Sequence, residues 1–195
     1  MKHSEMRLKD IAEITTGYPF RGKISEMSRA TSTAVQMKDI INGQKIDWRS
    51  TTQTALTGKR SPDWLKPSDI LFAARGNNNY AVMVEHDIAD RQAVAAPHFY
   101  VIQSKHRSVL PEYLAWLLNQ APSQRYFRGE AEGTLTKSIR RRVLENTPVA
   151  IPTQERQHTI VNMAKTLKQE QQLIQQLIHN GETIMNAIAN DLLKG

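Results

Sequence analysis

Residues 153–195 have the sequence TQERQHTIVNMAKTLKQEQQLIQQLIHNGETIMNAIANDLLKG, and this stretch decides the architecture of the chain. It contains no proline, and Gly181 is its only glycine before the terminal one. Steps of alternately four and three residues from Ile160 to Leu192 pass through ten positions, of which eight are apolar. Apolar residues at that spacing form a stripe along an α-helix. The sequence therefore predicts one long helix.

The length of this helix decides what can cover its apolar stripe. At about 1.5 Å per residue the helix would be roughly 60 Å long, whereas a domain of about 150 residues has a radius of gyration near 15 Å. We therefore expect a partner helix, in an antiparallel, coiled-coil-like pair within a homodimer. The alternative is a helix that folds back on its own domain through a break at Gly181. The residues predicted to form the dimer contact are Leu167, Ile174, Leu177, Ile178, Met185 and Ile188.

Residues 1–152 have a different pattern, in which short apolar runs alternate with turns rich in Gly, Asn, Pro and Ser. A short helix is predicted over residues 7–14, ending before Gly17, and another over residues 111–119, beginning at a proline. We therefore expect an α+β fold, in which a globular mixed α/β domain is followed by the long helix of residues 153–195. The predicted strands cover residues 33–40, 69–74, 80–85 and 98–103.

The excess positive charge is confined to the first part of the chain. The formal net charge of the whole chain is +7. Up to Gln154 there are 22 Lys and Arg against 15 Asp and Glu, and after it there are 4 against 4. A basic globular part joined to a neutral helix indicates a reader of a polyanion such as double-stranded DNA, carried on an assembly element. The plainer alternative is that the charge only aids solubility.

Motifs for catalysis are missing from the sequence. No proline follows Asn or Asp and no Gly-x-Gly occurs, which argues against a DNA methyltransferase of the amino-group class. No lysine has an acidic residue two positions before it, and no Gly-Lys pair is followed by Ser or Thr. These absences argue against the common metal-dependent nucleases and the P-loop ATPases. Since the six histidines also lack metal-ligand spacing, we expect no catalytic residue, no metal and no cofactor.

Composition also bears on the compartment. Cysteine is absent, which fits a reducing environment. No apolar run has the roughly 20 residues that a helix needs to cross a bilayer. The expected location is the cytoplasm, without membrane contact.

Three loops combine glycines with side chains suited to DNA. The first loop, residues 17–23 (GYPFRGK), carries two aromatic and two cationic residues. The second loop, residues 75–80 (RGNNNY), is rich in the side chains that pair bidentately with guanine, Arg, and with adenine, Asn. The third loop, residues 133–142 (GTLTKSIRRR), offers hydroxyls and cations that suit phosphates. The predicted DNA-contacting residues are Tyr18, Arg21, Lys23, Arg75, Asn77, Asn78, Asn79, Tyr80, Thr136, Lys137, Arg140 and Arg141.

Each loop also has a purely structural interpretation. The first could be an ordinary turn in which Tyr18 and Phe20 belong to the core, and the second an asparagine-rich turn. In the third, at least one of the three arginines should face solvent or a partner. Phosphate contacts would make the affinity salt-dependent, whereas base contacts would decide the sequence that is bound.

Three motifs, taken in order, resemble the specificity subunits of type I restriction-modification systems. Residues 8–14 (LKDIAEI) with Gly17 are similar to the family's opening helix and turn, and residues 68–76 (SDILFAARG) to its Gly-Asp-Ile-Leu strand and Arg-Gly loop. The most specific motif is residues 149–161 (VAIPTQERQHTIV), which resembles the Pro-x-x-Glu-x-Gln-x-x-Ile-Val start of the spacer helix. The resemblance extends along nearly the whole chain.

The resemblance implies a division of labour. Residues 1–152 would be a target recognition domain that reads one half of a bipartite DNA site, and residues 153–195 a spacer helix that pairs with another. Modification (methyltransferase) subunits would supply methyl transfer, and restriction subunits ATP-driven translocation and cleavage. The chain departs from the family in size, because members usually hold two recognition domains and two helices. Either two copies associate, or this half pairs with a different half.

Two other classes of protein stay open at this stage. One is an autonomous dimeric DNA-binding regulator that uses the same domain without enzyme partners, and the other is an enzyme with an unfamiliar active site. The regulator predicts sequence-specific binding by the protein alone. The specificity subunit predicts stable binding to a methyltransferase.

Overall fold

The computed structural model describes residues 6–76, 78–133 and 137–193. The chain divides into two compact units, one ending at Gln157 and the other beginning at His158, while the predicted division after residue 152 stays a prediction. The elements confirm the predicted α+β class. The strands are β1 (Met6–Arg7), β2 (Ala12–Thr16), β3 (Ser32–Val35), β4 (Ile40–Ile41), β5 (Lys45–Ile46), β6 (Thr52–Gln53), β7 (Ile70–Ala73), β8 (Ala81–Met83), β9 (Gln92–Ala95), β10 (Phe99–Ser104) and β11 (Pro148–Val149). The helices are α1 (Leu8–Ile11), α2 (Pro111–Leu118), α3 (Ala121–Glu130), α4 (Arg141–Glu145) and α5 (Gln154–Leu192).

A four-stranded antiparallel sheet in the order β2-β10-β7-β8 forms the centre of the first unit. Its strand β7 has the unbroken apolar sequence ILFA and is buried throughout. Ile70 and Phe72 point into one apolar cluster, whereas Leu71 and Ala73 belong to a second. A continuous apolar strand is expected where both faces of a sheet are covered.

Helices cover one face of this sheet, and a second sheet covers the other. Leu114 of α2 and Phe127 of α3 belong to the same cluster as Phe72, and the two phenylalanine ring centroids are 4.9 Å apart. The second sheet has the order β6-β3-β9, and it contributes Val35 and Ala95 to the other cluster. The central strands are therefore fixed from both sides, which makes them a rigid support for the loops at their ends.

The two sheets direct several loops to one end of the unit. Strands β2 and β7 both pair antiparallel with β10, so they end where β10 begins. Strands β3 and β9 are parallel, and the Ala96 N–H after β9 donates to Val35 O at the end of β3 (2.8 Å). The Tyr18 N–H after β2 donates to Ala95 O of β9 (2.8 Å), which joins the two sheets there. We call the loops that follow β2, β3, β7 and β9 the loop end.

The first predicted helix is shorter than expected. The sequence indicated a helix over residues 7–14, but α1 ends at Ile11. From Ala12 onward the chain pairs with β10, with Ile14 opposite Ile102. Strand pairing is favoured over a longer helix because alternate residues of this segment are buried, which suits a strand covered on one side.

The strand predicted over residues 33–40 is also shorter in the structure, where β3 ends at Val35. Residues Met37–Asp39 form a 3-10 turn, in which the Gln36 N–H donates to Asp39 Oδ2 (2.7 Å). Strands β7, β8 and β10 and helix α2 lie where the sequence predicted them, within a residue or two at their ends. Strand β9 and helix α3 were not predicted.

Helix α5 is one continuous helix of 39 residues, which confirms the prediction for the C-terminal stretch. Gly181 does not break it, and no neighbouring atom lies within 4 Å of the position that a Cβ would take there. No helix in the described part of the chain combines the length and apolarity needed to cross a bilayer. The exposed large apolar side chains of α5 are Met163, Leu167, Leu173, Ile174, Leu177, Ile178, Ile184, Met185, Ile188 and Leu192.

Candidate nucleic-acid interface

The second loop, residues 75–80, begins directly after β7 at the loop end. Arg75 is exposed there. Gly76 has a φ of 109°, a backbone conformation that side chains with a Cβ rarely adopt. Asn79 Nδ2 donates to Ala73 O (2.8 Å), so this amide group holds the loop against the last residue of β7. Arg75 is thus presented to solvent from a loop whose base is fixed.

The other predicted residues of the second loop differ in exposure. Asn78 is exposed, and Asn77 lies outside the described residues. Tyr80 is half-buried, and this burial raises the pKa of its phenol above the usual 10.0. Tyr80 is therefore neutral at physiological pH and contributes a ring surface at the base of the loop.

Main-chain hydrogen bonds join the third loop to the second. The Gly76 N–H donates to Lys137 O (3.1 Å), and the Ile139 N–H donates to Ala74 O (2.8 Å). The Lys137 side chain is exposed beside this pairing, and Thr136 lies outside the described residues. The fold therefore brings together two loops that are far apart in the sequence.

Arg140 and Arg141 follow in the third loop, and both are exposed. The Arg140 guanidinium forms an ion pair with Glu132, and Arg141 Nε lies 2.7 Å from Glu145 Oε1. Exposed ion pairs of this kind contribute at most about 1 kcal/mol. Both arginines can therefore exchange their carboxylate partners for a phosphate at little cost.

Tyr100 of β10 is a member of this surface that the sequence did not indicate. Burial raises the pKa of its phenol, and the nearby positive charges of Arg141 and Arg75 act in the opposite direction. The same phenol thus lies near an arginine from each of the two loops. Tyr100 sits within an ordinary apolar strand pattern, and no motif distinguishes it.

The first loop, residues 17–23, has a buried part and an exposed part. Tyr18 is 3% exposed, and its hydroxyl donates to Gly58 O (3.0 Å). Its side chain therefore has no free surface for DNA, which favours the alternative in which this aromatic residue belongs to the core. Arg21 and Lys23 are exposed and leave the loop two cations for contact.

Gly17 explains why this loop fits so tightly against β9. A Cβ on this residue would lie 2.1 Å from Ala96 O, a distance that real side chains do not allow. Only glycine permits the chain to pass there. The close passage keeps the first loop at the loop end, next to the residues that follow β9.

Further exposed cations at the loop end were not predicted. Lys38 follows β3 and is exposed. Arg60 Nη2 donates to Thr16 O (2.9 Å), which holds its guanidinium beside the end of β2. These residues widen the basic surface beyond the three predicted loops. No motif marks them, because their proximity depends on strand ends that only the fold brings together.

Two carboxyl groups are buried, unlike the exposed cations of this surface. Asp69 accepts hydrogen bonds from Lys66 N and Gln103 Nε2, both at 2.9 Å, and burial raises the pKa of this carboxyl. Burial likewise raises the pKa of Asp39, whose Oδ2 accepts from Gln36 N. Their bonds fix turns of the backbone. In the described residues, no group of three His, Cys, Asp or Glu side chains could hold a metal ion.

The six residues predicted for the dimer contact all lie on α5. Their side chains are between 49% and 70% exposed. Since a fully solvated apolar stripe is unfavourable, this exposure is a surface that a partner would cover. The contact itself stays a prediction.

A basic surface that carries Arg and Asn side chains, on loops held by a rigid α+β scaffold, is the arrangement of a DNA-recognition domain. The chain belongs to the family of the type I restriction modification DNA specificity domain, whose model matches residues 2–180. This membership confirms the resemblance inferred from the sequence. The role that the family description names is recognition rather than catalysis, as the sequence predicted. No curated protein sequence is significantly similar to the chain.

Solved structures with the same fold include two specificity subunits. The HsdS subunit from Thermoanaerobacter tengcongensis is 18% identical, with a TM-score of 0.63 over 89% of this chain and 44% of that chain. The S subunit of a type I restriction-modification system from M. genitalium is 12% identical, with a TM-score of 0.55 over 85% and 39%. A chain from a study of assembly and conformational transition in the type I R-M system is 14% identical, with a TM-score of 0.59 over 86% and 38%.

At these identities the similarity concerns the fold alone. The chain spans about two fifths of the length of each of these solved chains.

Proposed function

We propose that the chain serves as a specificity subunit of a type I restriction-modification system, in which the first unit is a target recognition domain that reads one half of a bipartite site in double-stranded DNA. The observation that carries the proposal is the placement of the first two predicted loops at the loop end, with the third joined to the second by main-chain hydrogen bonds. Arg75 and Lys137 are exposed on these two joined loops. Cations there would contact phosphates, and Arg and Asn side chains would read base edges.

Helix α5 has the second role in this proposal. Two copies would pair antiparallel through the exposed apolar stripe and form a homodimer that holds two recognition domains at a fixed distance. The support is the exposure of the six predicted dimer residues, of which Leu177 is 70% exposed. A two-fold symmetric pair would require the two half-sites to be inverted repeats.

Catalysis would come from other subunits. Modification (methyltransferase) subunits would dock on the dimer and transfer the methyl group, and restriction subunits, where the system has them, would supply translocation and cleavage. The support is the family's recognition role together with a sequence that lacks nucleotide, cofactor and nuclease motifs. Such a complex acts on cellular DNA, which agrees with the cytoplasmic location expected from the composition.

Methylome sequencing tests this function. The purified chain alone should methylate no DNA. With its cognate modification subunit and S-adenosylmethionine, it should direct methylation to two half-sites separated by a fixed, sequence-indifferent gap. A single contiguous site would contradict the bipartite mechanism, and methylation by the chain alone would contradict the subunit proposal. Sequence-specific binding without any association with a methyltransferase would favour the autonomous regulator.

The length of α5 offers a second test. A seven-residue repeat inserted after Gln176 lengthens the helix by about 10 Å, which should widen the gap by roughly three base pairs at 3.4 Å each, or abolish methylation through the accompanying rotation. The half-site sequences should not change. The control is Gly181→Ala, which leaves the length unchanged and meets no neighbouring atom. A gap that is the same in both variants would contradict the spacer role.

A further inference from the structure

A hairpin that the sequence did not single out lies against the second loop. Strands β4 and β5 form it, and its turn is closed by the Gln44 N–H, which donates to Ile41 O (2.9 Å). Asn42 and Gly43 have φ angles of 50° and 68°, the left-handed conformation that Asn and Gly tolerate best. The turn is therefore tight and has a defined shape.

The tip of this hairpin is held against Tyr80 of the second loop. A Cβ on Gly43 would lie 3.2 Å from Tyr80 Cγ, so the glycine backbone packs directly on the tyrosine ring. The contact creates an open groove between the hairpin and the second loop. The residues that line it are Met37, Ile40, Asn42, Gly43, Gln44, Asn78, Tyr80 and Asn119.

The amide side chains of this groove differ in whether they are already bonded. Both polar atoms of Asn119 are already bonded, because its Oδ1 accepts from Ala81 N (2.9 Å) and its Nδ2 donates to Ala81 O (2.7 Å). Asn42, Gln44 and Asn78 are exposed, and within the described ranges none of them has a side-chain hydrogen bond. Three carboxamide groups from two separate segments thus lie exposed along one groove, and neither their donor nor their acceptor atoms bond to other described residues.

The charge of the groove distinguishes it from the loops around it. Its lining contains no Lys, Arg, Asp or Glu, whereas the first and third loops present exposed cations. The nearest cation of the hairpin, Lys45, is directed to Asp87, with Nζ 3.7 Å from Oδ2. A neutral groove has little attraction for phosphates, but carboxamides pair bidentately with the N6 and N7 atoms of adenine in the major groove.

We infer that the β4–β5 hairpin is a second base-reading element, in which Gln44 and Asn42 recognise adenine edges next to the base pair that Asn78 reads. This inference rests on the proposed function, since it assigns specificity-determining residues to the same DNA site. The cationic loops hold the duplex by its phosphates, and the amide groove decides which bases are accepted at these positions. Tyr80 and Gly43 position the two reading segments relative to each other.

Binding of the full chain, alone and with its modification subunit, to a library of random duplexes followed by sequencing tests the inference. Gln44→Ala removes one of the two exposed amides of the hairpin. Asn42→Gly removes the second and keeps a residue that accepts the left-handed backbone. The matched control is Gln92→Ala, because Gln92 is an exposed glutamine at the beginning of β9, away from the loop end.

Wild type should enrich a motif that contains adenine at the affected positions. In each hairpin variant the preference for adenine at one base pair should fall about 5- to 150-fold, the range expected for loss of one bidentate contact. Other positions of the motif and the affinity for random DNA should not change. Gln92→Ala should enrich the wild-type motif.

A change of base preference gives a test that partial misfolding cannot imitate. In Gln44→Glu the side chain keeps its length but can only accept hydrogen bonds, so the preferred base at that position should change from adenine to cytosine, whose N4 is a donor. Unchanged discrimination in all hairpin variants, or a uniform loss of affinity for every sequence, would overturn the inference and leave the proposed function standing. A wild-type protein that enriches no motif in either form would overturn both.

Discussion

Gln157 should contribute more to stability than Gln154, another glutamine in the first turn of α5. Gln157 is fully buried, and its side chain makes three hydrogen bonds. Its Oε1 accepts from Leu110 N (2.9 Å), while its Nε2 donates to Ser108 O (2.7 Å) and Pro152 O (2.8 Å). The bonds to Leu110 and Ser108 tie the beginning of the helix to the turn before α2, and the bond to Pro152 holds the segment that leads into the helix. The perturbation is Gln157→Met, which keeps the length of the side chain and removes its polar atoms.

The expected decrease in stability can be calculated from these three hydrogen bonds. Each hydrogen bond contributes about 1 kcal/mol net, and partners left buried without water cost more. Loss of three bonds should therefore lower the free energy of unfolding by about 3 kcal/mol. In a unit of about 150 residues, 1 kcal/mol corresponds to about 2–4 °C in Tm. The expected decrease in Tm is roughly 6–12 °C.

Thermal unfolding followed by circular dichroism is the assay, and Gln154→Met is the matched control. Gln154 also lies in the first turn of α5, but it is exposed and makes a single hydrogen bond to Arg107 O (2.9 Å). Its substitution should lower the Tm by roughly 1–4 °C, since one exposed bond contributes about 0.5–1 kcal/mol. If Gln157→Met lowers the Tm no more than Gln154→Met, the three buried bonds do not stabilise the beginning of the helix as described.

Three further predictions concern recognition, assembly and pH. Arg75→Ala should reduce discrimination at one base pair by about 1–3 kcal/mol, measured by competition binding. The control Arg107→Ala, beyond the far end of β10, should not reduce it. Equal weakening of binding to all sequences would contradict base reading by Arg75. Replacement of both Ile174 and Ile178 by Asp should give monomers in light scattering at tens of micromolar. The same change at two glutamines of the opposite helix face, residues 172 and 176, should leave dimers. A monomeric wild type would contradict the helix pairing. Because burial raises the pKa of Asp39 above 3.8, the stability gained from its protonated form is present below that pH and is lost as the pH rises through the folded pKa. The Tm of Asp39→Asn relative to wild type should therefore increase with pH, and a constant difference would show that Asp39 does not titrate as described.

The sequence was most informative where one pattern extended over many residues. The spacing of apolar residues predicted α5 to within a residue or two at its start, because 39 residues of one period leave no competing structure. It was least informative where short segments depended on their neighbours. Ile14 satisfies a helical and a strand pattern equally well, and only its pairing opposite Ile102 decides between them. Strand β9 is short, and its partner β3 is far away in the sequence.

The candidate site was predictable only in part, for a related reason. Arg75 and Lys137 could be proposed because each stands in a loop of suitable composition. Lys38 and Tyr100 could not, because they join the surface through the register of strands rather than through any motif. Tyr18 illustrates the opposite case, since its residue type suits DNA contact but its position beside Gly58 places it in the core. The composition of the loops therefore indicated the kind of ligand, but it did not indicate all the residues of the candidate surface.

The arrangement of loops on buried strands has a consequence for how such a domain can change its target. Strand β7 is buried on both faces and fixes the position of Arg75, which follows it after one further buried residue. Gln44 and Asn78 make no side-chain hydrogen bond to other described residues, so their replacement removes no contact that holds the fold. Surface substitutions of this kind usually change stability by less than about 0.5 kcal/mol, whereas one bidentate base contact is worth about 1–3 kcal/mol of discrimination. Under the proposed base reading, replacement of these side chains would therefore change base preference by about 5- to 150-fold, while stability and phosphate binding stay nearly constant.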